Sequence, residues 1–155
     1  MSRENVELVR RLQPGPEVDL AQVLRDDALA EALLGAMASF VHPDFEAIAR
    51  TSLEAPSGAG LRGLREIWLE WLAPWESYRV EVEDVIDAGD RAVVLIRDFG
   101  RQEGSRAEVS ITAGAVWTVR DGRIARVEFY SDRSEALQAA GLSRSGENGP
   151  GTRVE

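Results

Sequence analysis

Two hydrophobic periods divide the chain. Up to about residue 75 apolar side chains recur at helical spacing, and from there to residue 131 they mostly alternate with polar ones, the signature of half-buried strands. Val6, Val9 and Leu12 predict a first helix from about Glu4 to Leu12, which Pro14-Gly15-Pro16 stops. Asp19 stands where it can cap a second helix with Leu20, Val23 and Leu24 on one face. After Asp26-Asp27 a further helix carries Leu29, Leu33, Leu34, Met37 and Phe40. It ends at His42-Pro43-Asp44, because a residue before proline is pushed toward extended backbone. A short strand over 45–52 follows, then a loop at Pro56-Ser57-Gly58-Ala59-Gly60 and a helix from near Leu61. That helix has the strongest stripe: Leu64, Ile67, Trp68, Trp71 and Leu72 share a side, Arg62, Arg65, Glu66 and Glu70 mostly the other, and Pro74 ends the run.

The alternating half predicts four strands, over 78–86, 91–101, 106–119 and 123–131. Asp87-Ala88-Gly89-Asp90, Gln102-Glu103-Gly104-Ser105 and Asp121-Gly122 are short polar connectors, so consecutive antiparallel hairpins are the natural pairing. Asp132, with Glu135 three residues on, is placed to cap a last helix over 133–140 that Gly141 stops. Residues 1–142 therefore read as one α+β domain, and residues 143–155, almost without apolar side chains, as a disordered tail.

Composition narrows the chemistry more than the fold. A net charge of -9 opposes nucleic acid and anionic membranes, whose affinity depends on basic side chains. There is no apolar run long enough to span a bilayer, and Met1-Ser2-Arg3-Glu4-Asn5 has no signal-peptide character, so a cytoplasmic location is the default expectation. Cysteine is absent, every basic residue is Arg, and His42 is the one histidine. Thiolate nucleophiles, Schiff-base lysines and multi-histidine metal sites within the chain are excluded, and no metal or cofactor is expected. Exclusive use of Arg suggests a high-GC bacterial genome.

Four stretches, in order, resemble the SnoaL-like branch of the nuclear-transport-factor-2-like superfamily. They are Glu4-Asn5-Val6-Glu7-Leu8-Val9-Arg10-Arg11, then His42-Pro43-Asp44-Phe45-Glu46, then Gly63-Leu64-Arg65-Glu66-Ile67-Trp68, and finally Val116-Trp117-Thr118-Val119-Arg120-Asp121-Gly122-Arg123-Ile124. The last continues through Tyr130 and Asp132 to Leu142. The resemblance implies a cone-shaped, curved antiparallel sheet packed by N-terminal helices, a cystatin-like or SnoaL-like α+β barrel with an apolar pocket, and commonly a homodimer. It leaves activity open, because the superfamily joins isomerases, cyclases, dehydratases and epoxide hydrolases with proteins that only bind or assemble.

Alternation places Val93, Leu95, Arg97 and Phe99 on one strand face, and Val109, Ile111, Ala113, Ala115, Trp117 and Val119 on one face of the next. Both faces are expected to line the cone. Arg97 is the charged odd member: it holds a substrate carboxylate or orients water beside an acid, or it snorkels at the rim in a structural ion pair. The acid–arginine–acid set of epoxide hydrolases is not matched, because its acids fall on Phe99 and Phe129, whereas a shift of one residue brings in Asp98 or Glu128. Nor does Ala47-Ile48-Ala49-Arg50 hold the base of a ketosteroid isomerase. His42 and Asp132 remain acid–base candidates of the polyketide-cyclase kind, beside plainer roles as a cap or surface residue and as the cap of the last helix. Trp68, Trp71, Trp75, Tyr78 and Tyr130 form an aromatic wall for a flat ligand or pack the core or a dimer contact.

The expected ligand-binding set is Trp68, Arg97, Phe99, Ala115, Trp117 and Phe129. The leading expectation is a pocket for a small hydrophobic molecule. The alternatives are a cofactor-free isomerase, cyclase, dehydratase or epoxide-hydrolase-type enzyme, and a structural dimerisation domain.

Overall fold

The computed structural model describes residues 2–142; the tail expected over 143–155 lies outside them. Helices α1 (Ser2–Arg11), α2 (Leu20–Arg25) and α3 (Asp27–Met37) lead through a 3-10 turn at Ala38–Phe40 into strand β1 (Val41–Ala49). Then come β2 (Ser57–Ala59), α4 (Gly60–Leu72), β3 (Trp75–Ala88), β4 (Arg91–Gln102), β5 (Glu108–Arg120), β6 (Arg123–Tyr130) and α5 (Arg133–Ala139). Side-chain caps fix the helix starts: Asp19 accepts from Ala21 and Gln22, Asp26 from Leu29, and Asp132 from Ser134. Asp19 Oδ1 also accepts the backbone N–H of Tyr78 at 3.0 Å, which ties the start of α2 to β3.

The strands form one curved sheet in the order β2-β1-β6-β5-β4-β3, open at both edges. The last four strands pair as antiparallel hairpins, and β1 lies parallel to β6 with Ala47 opposite Val127. Two boundaries differ from the sequence expectation. β1 begins at Val41 and runs through Pro43, which its missing N–H allows because the β1/β6 register shifts between Val41 and Glu46. The expected loop at 56–60 contains β2, pressed so closely to α4 that Gly58 and Gly63 meet backbone to backbone.

One face of the sheet carries the main core. Val9, Leu20, Leu24, Leu64 and Leu72 from the helices pack with Val80, Val94, Ala115 and Trp117 from the strands. α5 lies on the opposite face, where Ala136 and Ala140 cover Val93 and Val116. Both faces of β4 are thus apolar over its first half, and hydrophobicity alone does not tell which one faces the helices.

Candidate functional site

The register of β4 decides what the site contains. Asp98 stands opposite Ile111 and Ile96 opposite Ala113, on the helix-covered face; Arg97 and Phe99 lie on the other face. This corrects the expectation that Arg97 and Phe99 line the cone. Arg97 Nε donates to Glu83 at 2.8 Å, and the Arg79 guanidinium lies 4.2 Å over the Phe99 ring. Arg97 is therefore held in an ion pair, the plainer of its two readings.

A cavity of about 200 Å³ opens on the helix-covered face. Such a volume is far above the roughly 10–15 Å³ that admits one water. Ile67, Trp68 and Trp71 of α4 form one wall, Ile96, Ile111 and Ala113 the sheet side, and Phe129 the end of β6. Thr51, Ser52, Glu70 and Ser131 are exposed at its rim. Asp98 is the one charged side chain in the buried part of this lining, and it is 2% exposed.

A directed chain of hydrogen bonds reaches Asp98. Trp71 Nε1 donates to Tyr78 Oη at 2.7 Å, and Tyr78 Oη donates to Asp98 Oδ2. The direction is forced: an indole N–H only donates, so the phenol accepts from Trp71 and gives its single proton to Asp98. Asp98 Oδ1 is buried without a partner among the described residues. When the carboxyl is protonated, the proton consequently sits on Oδ1. Burial pushes the Asp98 carboxyl up to about 6, against the opposing pull of the Tyr78 hydrogen bond. Burial, reinforced by the neighbouring Asp98 charge, holds the Tyr78 phenol well above its usual range, so it stays a donor.

A second cavity of about 70 Å³ lies among α2, α3, α4 and the sheet, lined by Leu20, Leu33, Met37, Ala115 and Trp117 among others. Trp68, Ile96 and Phe129 border both cavities. Of the sequence-derived binding set, Trp68 and Phe129 therefore stand at both, Ala115 and Trp117 at the smaller, and Arg97 and Phe99 at neither.

The remaining candidates lie elsewhere. His42 borders neither cavity; its Nδ1 accepts from the Asp44 backbone at 3.0 Å and lies 3.3 Å from Arg120. Asp132 caps α5, accepting from Ser134 at 2.7 Å. Glu128 faces away from the cavity, opposite Val116, and accepts from Arg50 Nε at 3.0 Å. The Trp71–Tyr78–Asp98 chain was not assembled from the sequence. Its available signal was Asp98 sharing strand parity with Ala92, Val94 and Ile96, an acid at the end of an apolar row.

An open curved sheet, helices over one face and an apolar cavity holding one buried carboxylate define a helix-covered pocket domain of the α+β class. The chain belongs to the SnoaL-like domain family, whose sequence profile matches residues 21–127. Solved structures with the same fold include a putative SnoaL-like polyketide cyclase from Jannaschia sp. CCS1, 21% identical with a TM-score of 0.62, covering 90% of this chain and 92% of that one. TerC co-crystallized with polyporic acid is 19% identical with a TM-score of 0.59, covering 89% and 98%. A hypothetical protein with a ketosteroid isomerase-like fold from Catenulispora acidiphila, in complex with trimethylamine, is 16% identical with a TM-score of 0.54, covering 86% and 97%. Among curated proteins no relative matches the chain. No helix among the described residues is long and apolar enough to cross a membrane.

Proposed function

We propose that residues 1–142 bind a small, neutral, largely apolar molecule in the larger cavity and that Asp98 exchanges a proton with it. One observation carries this reading: a buried carboxylate lines the apolar inner part of the cavity, with one oxygen held by Tyr78 and the other unpartnered among the described residues. Small-molecule sites are typically apolar with few placed polar groups, and an acid–base group works best with its pKa near the working pH. Asp98 takes a proton from a carbon beside a carbonyl, and the C–H electron pair moves into an enolate. The protonated Asp98 exchanges that proton with solvent and delivers a solvent proton back to the enolate, so the step balances and label from the solvent enters the carbon. Tyr78 and Trp71 are positioning residues that keep Oδ1 free, and Trp68 and Phe129 supply the aromatic walls.

The test uses acetophenone in D₂O with proton NMR. Wild-type protein accelerates exchange of the methyl protons, and Asp98→Asn loses that acceleration while still binding the ketone. Binding without exchange in the wild type would remove the proton step and leave a binding protein.

A second reading, a small ammonium ligand, is favoured by the absence of basic side chains from the lining and by the trimethylamine held by the structural neighbour. The two separate by pH: an ammonium ion holds Asp98 ionised and lowers its pKa, whereas a neutral acceptor favours the protonated form. A homodimer, implied by the resemblance, a bacterial source, suggested by the Arg usage, and a cytoplasmic location, the default expectation from the sequence, belong to the same reading. Sedimentation velocity tests the pairing.

A further inference from the structure

We infer that the tip of the β1–β2 hairpin, residues 51–55, is a lid on the larger cavity, and that Leu53 turns inward on a bound molecule to supply an apolar contact at the mouth. The inference rests on the reading above, in which a small apolar molecule occupies this cavity.

The lid is anchored at both ends. The Arg50 backbone N–H donates to the Phe129 carbonyl at 2.7 Å, and its side-chain Nε donates to Glu128 at 3.0 Å. On the other leg the Ala49 N–H donates to the Pro56 carbonyl at 2.8 Å, and Ser57 and Gly58 stand opposite Ile48 and Ala47. Between these anchors the turn is closed by the Ala55 N–H on the Ser52 carbonyl, a longer bond of 3.2 Å. Segments held by so little rearrange at low cost.

Two features of the tip do not suit a static turn. Leu53 is fully exposed, the most exposed large apolar side chain among the described residues, and it packs into neither core cluster. Burial of such a side chain is favourable, so it leaves water when an apolar surface is offered. Ala55 has a φ of 45°, a left-handed conformation costly for a residue with a Cβ, and it precedes Pro56, where extended backbone is preferred. The other non-glycine with positive φ among the described residues, Asp121, sits in the Asp121-Gly122 hairpin turn that calls for it. Relaxing Ala55 to extended geometry releases its strain and swings the tip.

The distance to be covered is short. Thr51, Ser52 and Pro56 already border the cavity, so Leu53 stands one Cα step, about 3.8 Å, from a lining residue. Of the other polar groups in the lining, Asp98 is bonded to Tyr78 and Tyr130 to Arg50, while Glu70 and Ser131 are exposed at the rim. The tip now offers the mouth two hydroxyls, and Leu53 is its one large apolar side chain.

The test uses the full chain, acetophenone as the probe, and endoproteinase Glu-C, with cleavage sites read by mass spectrometry. Glu54 lies in the tip, and Glu103, exposed in the β4–β5 turn, is the internal reference. Saturating acetophenone slows the cut after Glu54 about tenfold and leaves the cut after Glu103 unchanged. In Leu53→Ser the protection is lost, and calorimetry shows acetophenone bound about tenfold more weakly, chiefly through faster dissociation. Leu53→Met retains both. Because Leu53 is fully exposed in the open form, ligand-free Leu53→Ser keeps the urea midpoint of the wild type. Ala55→Gly removes the strain of the open form and weakens binding about fivefold.

Acetophenone that binds without protecting Glu54, or that binds Leu53→Ser as tightly as the wild type, overturns the lid and leaves the cavity reading standing. Leu53→Ser that lowers the sedimentation coefficient and leaves the affinity unchanged assigns Leu53 to contact with a second copy, and overturns the lid too. If acetophenone does not bind, the cavity reading falls and the lid falls with it.

Discussion

Asp98 is a carboxylate kept in a place that disfavours its charge. Its folded pKa of about 6 lies above the ordinary carboxyl value of 3.8, so between those values the folded chain binds more protons than the unfolded one. Stability therefore falls as pH rises through that window and levels off above it. Asp98→Asn removes the titration: urea unfolding should show the variant gaining on the wild type by about 2 kcal/mol more at pH 8 than at pH 4. A constant difference across pH would mean that the carboxyl is not perturbed. Tyr78→Phe acts differently. It strips the partners from Trp71 Nε1 and Asp98 Oδ2, at a cost of about 1–3 kcal/mol. Because the Tyr78 hydrogen bond lowers the Asp98 pKa, its loss should move the midpoint of the carboxyl titration, followed by carbon NMR, to higher pH.

At the level of elements, the cavity wall depends on how tightly α4 is set against the sheet. A Cβ on Gly63 would lie 2.2 Å from the Gly58 carbonyl carbon, so nothing larger than hydrogen fits where β2 meets the helix. Gly63→Ala should destabilise the fold by about 1–3 kcal/mol, the usual cost of overpacking. It should also change the near-ultraviolet circular dichroism of Trp68 and Trp71, which the same helix carries. A variant with wild-type stability would show that α4 slides at no cost. This contact was not legible in the sequence, where Gly58 read as a turn residue, because close approach is a tertiary event that leaves no periodic trace. The strongly periodic parts were legible: the stripe of α4, the three hairpins at Gly89, Gly104 and Gly122, and the caps at Asp19 and Asp132. The parity of β4 was not. Val93 and Leu95 are apolar because α5 covers them, so the alternation that marks the cavity side was masked until residues 97–100. Even there Arg97 and Asp98 are both charged, and it is the pairing of Asp98 with Ile111 that assigns Asp98, and not Arg97, to the cavity.

On the scale of the whole molecule, the charge of -9 and a larger cavity whose charged lining is Asp98 and Glu70 select against anions. Acetophenone at a hundredfold excess over its dissociation constant should stabilise the chain by about 2.7 kcal/mol, a rise of several degrees in Tm. Benzoate, nearly the same shape with a negative charge, should give no rise at pH 8, and an equal rise would contradict the electrostatic argument. The parallel contact of β1 with β6 has a different kind of consequence. Glu46 and Arg126, paired across those strands, stand 80 residues apart, whereas β3 to β6 pair through neighbouring turns. Loop closure over such a distance is slow and comes after local hairpins have formed. The cavity is bounded by the end of each of these two strands, so it is completed late on the folding path. A ligand that fits it meets a chain already past its main barrier, and so it lengthens the life of the folded molecule without hastening its birth.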